Sequence, residues 1–218
     1  MHESTTKMPD LDQARNWYRK SDAVHDFDHV IRVYNMAQRL AKEEGADLAI
    51  VLAATLLHDV EDAGPGTEER KNHHITSAQF AGKVLQKMGW TAERIAAVQH
   101  CIRAHRYRDN NEIPETIEAK ILYDADKLDV LGAIGVARTI AYATLANEPI
   151  YREPSQHFLK TGKGEPGEAH SAYHEYLFKL RHVKSRLFTD TAKTIAEERH
   201  KYITHYFEQL AAETWGER

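Results

Sequence analysis

The chain has 218 residues, of which 42% are hydrophobic and 28% are charged, and its 29 Lys and Arg against 33 Asp and Glu give a net charge of −4. This balance is typical of a soluble globular protein. It excludes broad electrostatic binding to DNA, RNA or anionic lipid, because such binding requires clustered cations. We therefore expect neither a nucleic-acid polymer nor a membrane as partner.

The cysteine content and the N-terminus indicate a cytoplasmic protein. Cys101 is the single cysteine of the chain, so no internal disulfide framework is expected, and we predict that it is a small buried residue. The first residues, MHESTTKMPDLDQ, lack the basic start and apolar run of a signal peptide. The most apolar stretch, residues 48–57, is about half as long as the roughly 20 residues of a membrane span, and it predicts a core helix.

Apolar residues recur at helical spacing along most of the chain. Between residues 26 and 44 they follow every third or fourth position, with Asp26 as a candidate N-cap and Gly45 as the expected end. No segment shows the strict alternation of a strand, so the predicted class is all-α. The further predicted helices are 47–60, 76–88, 91–105, 114–146, 169–187 and 190–214.

Two polar segments interrupt this pattern and predict loops. Residues 61–75 contain Gly64-Pro65-Gly66, and residues 147–169 hold three of the six prolines and three of the eleven glycines. A long loop inside a compact domain is often a lid or a binding loop, and a plain surface loop is the alternative. We predict one globular unit over 1–218, with a core at 20–146, a loop or lid at 147–169 and C-terminal helices at 170–218 packed on the core.

Four residues carry the chemistry that the sequence predicts. His58-Asp59 follows the apolar run ATLL, His29 lies in the first turn of the preceding helix, and Asp126 lies on a largely apolar helix. Asp62 follows Asp59 by three residues, which would place both carboxylates on one side of a continuing helix. Two imidazoles and two carboxylates form a donor set suited to a divalent transition metal.

The order His29, His58-Asp59, Asp126 resembles the metal motif of the HD-domain metal-dependent phosphohydrolase superfamily. The strings HDFDHVIRVYNMAQRLA, LAATLLHDVED and EAKILYDADKLDVLGAIGVAR resemble its small bacterial members, and the resemblance extends from about residue 10 to 210. It implies an HD-domain helical bundle with additional C-terminal helices. It also implies that these four residues are metal ligands, with Asp59 and Asp62 as catalytic residues and Asp62 as the general base.

The resemblance implies one divalent metal ion per chain, with Mn²⁺ favoured over Fe²⁺, Co²⁺, Ni²⁺, Zn²⁺ or Mg²⁺. Relatives with two metals use additional histidines, but no full six-ligand set aligns in this sequence. The predicted substrate contacts are His74, His105, Arg103, Arg106 and Asp129, because arginine binds phosphate oxygens through two N–H groups and Asp129 could contact a sugar hydroxyl or orient a ligand imidazole. For the arginines and for Asp129, an exposed helix surface is the alternative.

The activity implied is hydrolysis of a small phosphorylated substrate, most simply a nucleoside triphosphate, with release of pyrophosphate or phosphate by a metal-activated water. A homo-oligomer is compatible with the sequence. Two alternatives stay open: an HD-fold binding or regulatory module without catalysis, and a di-iron HD oxygenase, which would need additional His or Asp ligands.

Overall fold

The structure is a computed structural model, and it describes residues 7–18, 27–61, 68–107 and 112–218. All regular secondary structure in these ranges is helical, which confirms the predicted all-α class. Two short 3₁₀ helices, Leu180–His182 and Lys184–Arg186, precede the last α-helix. The α-helices are α1 (Leu11–Arg15), α2 (Phe27–Glu44), α3 (Leu48–Leu57), α4 (Glu68–Lys87), α5 (Ala92–Ala104), α6 (Ile117–Leu128), α7 (Gly132–Leu145), α8 (Gln156–Thr161), α9 (Ala172–Phe178) and α10 (Asp190–Thr214).

Helix α3 lies at the centre of the first part of the fold. Asp47 caps its N-terminus by accepting hydrogen bonds from the N–H groups of Ala49 and Ile50, at 3.0 and 3.2 Å. Every residue from Val51 to Leu57 is buried, and the helix contacts α2, α4 and α5. Because burial of each large aliphatic side chain contributes about 1.5–3 kcal/mol, these contacts fix where the C-terminal end of α3 lies.

The end of α2 is confirmed, because α2 stops at Glu44 and Gly45 adopts a φ of +69° that favours glycine. The predicted N-cap Asp26 lies outside the described residues. The predicted start of the next helix after α3 is wrong: α4 begins at Glu68, so residues 68–75 are helical and not part of a loop. The backbone N–H of Glu61 donates to Ser77 Oγ at 3.1 Å, which joins the end of the α3 segment to α4.

The single helix predicted over 114–146 is wrong. The chain forms α6 and α7, separated at residues 129–131, where Leu131 is extended and Gly132 has a φ of +67°. Leu128 and Leu131 are both buried, so the break does not interrupt the apolar pattern from which the single helix was inferred. The helix predicted over 169–187 is also shorter, because α9 ends at Phe178 and is followed by the 3₁₀ turns.

The contacts divide the chain into two compact units, Met1–Asp126 and Lys127–Arg218. In the second unit, α10 packs against α7 and α7 against α9. The predicted organisation, one globular unit with a core at 20–146, stays a prediction.

The segment 147–169 has more structure than the predicted loop. It contains α8, and the side chain of Phe158 in that helix is 3% exposed. The carboxylate of Glu168 accepts hydrogen bonds from the backbone N–H groups of Ser155 and Glu165 at 2.8 and 2.7 Å. These contacts close the segment on itself. A role for it as a lid stays a prediction.

In the part of the chain that the structure describes, no single helix is both long enough and apolar enough to cross a membrane.

Candidate metal centre

The C-terminal end of α3 presents His58 and Asp59 next to each other. His58 is fully buried, and its Nδ1 lies 2.7 Å from the backbone oxygen of Thr55. A carbonyl oxygen can only accept, so Nδ1 carries the proton and Nε2 keeps its lone pair. His58 Nε2 is buried with no hydrogen-bond partner in the described structure, as expected for an atom that binds a cation.

The first donor group consists of His29, His58 and Asp126 together with one oxygen of Asp59, Oδ2. Asp59 Oδ2 lies 3.4 Å from His58 Nε2 and 3.9 Å from His29 Nε2, and His29 Nε2 lies 3.4 Å from Asp126 Oδ1. One donor atom from each of His29, His58 and Asp126 lies within 4.8 Å of the others. The structure therefore brings all four predicted metal ligands together, and their role as ligands stays a prediction.

The other oxygen of Asp59 faces two more histidines and forms the second donor group. Asp59 Oδ1 lies 3.1 Å from His73 Nε2 and 3.3 Å from His105 Nε2. His105 is 3% exposed, and its Nδ1 lies 2.5 Å from the backbone oxygen of Ile102. Its Nε2 therefore keeps a lone pair directed towards Asp59, as in His58.

The charges of the centre favour binding of a cation at neutral pH. Burial by itself would raise the pKa of Asp59, but the neighbouring His58, His105 and His73 outweigh it and hold this pKa well below its ordinary value. Burial lowers the pKa of His105 to about 4 although Asp59 opposes the change. At neutral pH Asp59 is therefore anionic and the imidazole of His105 is neutral.

The donor set fits a divalent transition metal. It consists of imidazole nitrogens and carboxylate oxygens with no thiolate, which is the combination expected for Mn²⁺, Fe²⁺, Co²⁺, Ni²⁺ or Zn²⁺ at a site with open positions. One buried atom of the centre, His58 Nε2, has no hydrogen bond within the described residues. A bound cation would satisfy this atom.

Of the other predicted site residues, Arg103 and Asp129 are paired with charged residues of the protein. Asp62, the predicted general base, lies outside the described residues. Arg103 donates from Nε and Nη2 to the carboxylate of Glu112, at 2.5 and 3.0 Å, and Asp129 pairs with Arg138 at 2.5 Å within the second unit. Their predicted contacts with substrate therefore stay predictions, and both charges already have a partner in the protein.

Arg106 and His74 lie beside the second donor group. Arg106 Nη1 is 3.0 Å from His73 Nδ1, and His74 is the next residue on α4. Burial, followed by the charges of His73 and Arg106, lowers the pKa of His74, so this imidazole is neutral at pH 7. Neither His74 nor Arg106 belongs to a donor group.

Sequence reasoning missed the contribution of His73. The sequence predicts a loop at 61–75 and a helix from residue 76. In the structure, α4 begins at Glu68 and carries the buried His73 towards Asp59. Glu112 was missed as the partner of Arg103 and His100, whose Nδ1 lies 2.5 Å from Glu112 Oε1. Local sequence contained no signal for this contact.

Comparison with known proteins identifies the family. The HD domain family matches residues 26–131. The uncharacterized protein YpgQ of Bacillus subtilis is 30% identical over 218 residues, with 96% of each chain covered. The structure of YpgQ in complex with ADP superposes with a TM-score of 0.72 at 31% identity, covering 95% of this chain and 99% of YpgQ. An HD-superfamily hydrolase of Bacillus thuringiensis superposes with a TM-score of 0.70 at 28% identity, covering 94% and 95%.

This chain belongs to the HD-domain superfamily, and it has the fold of HD-superfamily hydrolases. The family assignment made from the order of His29, His58-Asp59 and Asp126 is confirmed.

Proposed function

We propose that the protein is a metal-dependent phosphohydrolase that acts on a nucleotide, most simply a nucleoside triphosphate, and releases pyrophosphate or phosphate. The observation that carries the proposal is the group of His29, His58, Asp59 and Asp126, with a buried imidazole nitrogen that lacks a hydrogen-bond partner among the described residues. The relative YpgQ binds ADP in its crystal structure, which supports a nucleotide as the ligand class.

In this proposal, His29, His58, Asp59 and Asp126 hold one divalent ion per chain, with Mn²⁺ favoured. When bound, the ion would supply Lewis-acid polarisation of a phosphoryl oxygen and of the attacking water. The backbone oxygen of Thr55 fixes the His58 ring so that its Nε2 faces the centre. Asp62 would accept the proton of the attacking water as general base.

Two of the predicted substrate contacts lie beside the second donor group. His105 contacts Asp59 directly and Arg106 contacts its neighbour His73, so these two are the best placed for a phosphate. Arg103 and Asp129 would have to exchange their ion-pair partners for substrate, and His74 would have to present a buried ring. We also propose a cytoplasmic protein without a nucleic-acid polymer or membrane as partner.

The first prediction tests the activity. Purified protein loaded with Mn²⁺ is assayed against a panel of nucleoside mono-, di- and triphosphates, with product analysis separating pyrophosphate from phosphate release. We expect metal-dependent turnover that His58→Ala and Asp59→Ala each reduce by more than about 100-fold, since loss of outer-sphere partners alone costs 10–100-fold. Glu93→Gln, an exposed change on α5, is the matched control. Absence of turnover, or turnover that survives both alanine variants, would contradict the proposal.

The two donor groups that share Asp59 favour a second candidate, a di-iron HD oxygenase. That activity would need two irons, which the residues of the two donor groups would hold. Protein loaded anaerobically with Fe²⁺ and then exposed to oxygen would separate the candidates: the hydrolase predicts one iron and no oxygen uptake, and the oxygenase predicts two irons and uptake. A binding module without catalysis would retain metal and nucleotide but show neither reaction.

A further inference from the structure

The ring of His73 lies between an acidic and a basic group of the centre. Its Nε2 is 3.1 Å from Asp59 Oδ1, and its Nδ1 is 3.0 Å from Arg106 Nη1. The ring itself is 3% exposed, and it comes from α4, whereas Arg106 follows the end of α5. His73 therefore has one nitrogen directed at an anion and the other at a cation.

The arginine determines which nitrogen of His73 carries the proton. Every N–H of a guanidinium donates and none accepts, and arginine does not lose its proton in proteins. His73 Nδ1 must therefore accept, so the neutral ring holds its proton on Nε2, facing Asp59. A protonated Nε2 has no lone pair for a metal.

Two of the other histidines near Asp59, His58 and His105, have the opposite form. His58 Nδ1 and His105 Nδ1 each face a backbone oxygen, at 2.7 and 2.5 Å, so each Nε2 carries a lone pair. Only His73, of the histidines in the second donor group, has a cation at Nδ1 within the described structure. The second group thus has the shape of a metal site but lacks one ligand lone pair.

We propose that Arg106 is a positioning residue that holds His73 in the Nε2–H form and so limits the centre to one metal ion. The proton on His73 Nε2 points at the carboxylate oxygen that a second cation would need, beside His105 Nε2. This inference rests on the proposed metal centre, because it explains why six clustered donor residues would bind one ion where their spacing alone would allow two. It assigns Arg106 a function distinct from contact with phosphate.

The first test reads the proton position directly and does not depend on activity. Long-range ¹H–¹⁵N NMR of the histidine rings is recorded on metal-free protein and on protein loaded with diamagnetic Zn²⁺, with His73→Gln used for assignment. We expect His73 as the Nε2–H form and His58 and His105 as Nδ1–H forms, and Arg106→Met should shift His73 to the Nδ1–H form when Zn²⁺ is added. His73 already in the Nδ1–H form in the unmodified protein would overturn the proposal.

The second test counts metal ions. We expect one Mn²⁺ per chain by elemental analysis and an isolated-ion EPR spectrum for the unmodified protein, for Arg106→Lys, whose ammonium also only donates, and for His73→Ala. Arg106→Met should bind two Mn²⁺ with an exchange-coupled spectrum, and the double variant Arg106→Met/His73→Ala should return to one. Two ions in the unmodified protein that fall to one in His73→Ala would overturn the inference.

The proposed hydrolase activity and the proposed role of Arg106 can be refuted independently of each other. One bound ion with the expected ring forms but no nucleotide turnover would refute the hydrolase and support the role of Arg106. Turnover with two bound ions would do the opposite. Should Arg106→Met not fold, His73→Ala decides, because a residue that is not a ligand leaves the count at one.

Discussion

At the scale of single residues, Asp59 organises the centre because its two oxygens face different groups. Oδ2 lies near His58 and His29, and Oδ1 near His73 and His105. The motif predicted Asp59 as a ligand, but a motif contains no information on which oxygen faces which neighbour. That depends on where α4 and α5 lie beside the end of α3.

Cys101 provides the second prediction. The residue is fully buried on α5, as expected from the sequence, and burial raises the pKa of its thiol far above the ordinary value. Because the thiolate is the reactive form, we expect Cys101 not to react with a thiol reagent such as DTNB in folded protein and to react fully in guanidinium chloride. Rapid labelling of the native protein would contradict the burial, and Cys101→Ala is the blank for background reaction.

At the scale of elements, Gly135 allows the chain to turn between α6 and α7. A Cβ at this position would lie 2.3 Å from the backbone oxygen of Val130, a contact that requires the backbone to shift. The third prediction is that Gly135→Ala lowers the free energy of unfolding by about 1–3 kcal/mol, as overpacking typically does. Gly164→Ala is the control, since a Cβ there has no neighbour closer than 3.5 Å. Equal urea midpoints for the two variants would refute the contact.

The contacts of Glu168 are a second stabilising feature at the scale of elements. Besides two backbone N–H groups, its carboxylate accepts from Ser155 Oγ at 2.8 Å and lies 3.1 Å from Nε2 of the buried His174. The hydrogen bonds from the backbone of Ser155 and Glu165, together with His174, lower the pKa of Glu168 to about 2. Glu168 therefore connects residues 155 and 165 of this segment to each other and to His174.

The fourth prediction follows from that pKa. The ordinary value of 4.5 applies in the unfolded chain and about 2 in the folded one, so the unfolded state binds the proton first as the pH falls. The stabilisation by Glu168 is complete above about pH 4.5 and is lost as the pH falls towards 2. Melting temperatures measured from pH 7 to 2 should show a smaller acid-induced decrease for Glu168→Gln, which also melts lower at pH 7. Glu165→Gln, whose exposed carboxylate has no such role, is the control.

Residues 147–169 also show why composition misled the sequence interpretation. Proline and glycine predicted an irregular loop, and α8 is a helix of only six residues with Ser155 as its N-cap and Gly162 at φ +71° as its end. The stability of α8 depends on the burial of Phe158 and on the hydrogen bond between Ser155 and Glu168. Phe158 packs on His174, so both contacts involve residues that follow the helix in sequence. Short helices of this kind are held by tertiary contacts and not by intrinsic propensity.

At the scale of the whole molecule, metal binding and stability are linked. The fifth prediction is that Mn²⁺ at 100 times its Kd stabilises the folded protein by about 2.7 kcal/mol, because an ion that binds only the folded state shifts the unfolding equilibrium. For a chain of this size the melting temperature should rise by about 5–10 °C and return on addition of EDTA.

The quantity to compare between variants is the rise in melting temperature caused by Mn²⁺, and not the absolute melting temperature. Asp59→Asn removes a charge from both donor groups and should abolish the rise induced by Mn²⁺, whereas Glu198→Gln, on the exposed surface of α10, should retain it. A rise of equal size in both variants would place metal binding elsewhere on the molecule.

The sequence by itself determined the all-α class and the family, and it predicted the four residues of the first donor group. Helical periodicity is a local property, and the order His29, His58-Asp59, Asp126 can be recognised without knowledge of distances. The limits of α2, α5 and α10 also followed within a few residues, because capping residues and glycine lie at their ends.

Only the tertiary structure decided the second half of the centre. Three kinds of contact join residues that are not neighbours in sequence: the approach of His73 and His105 to Asp59, the contact of Arg106 with His73 and the pairing of Arg103 with Glu112. Such contacts depend on the packing of α4 and α5 against α3, and no local pattern specifies them. For the same reason, the protonated nitrogen of each histidine could be assigned only after its neighbours were known.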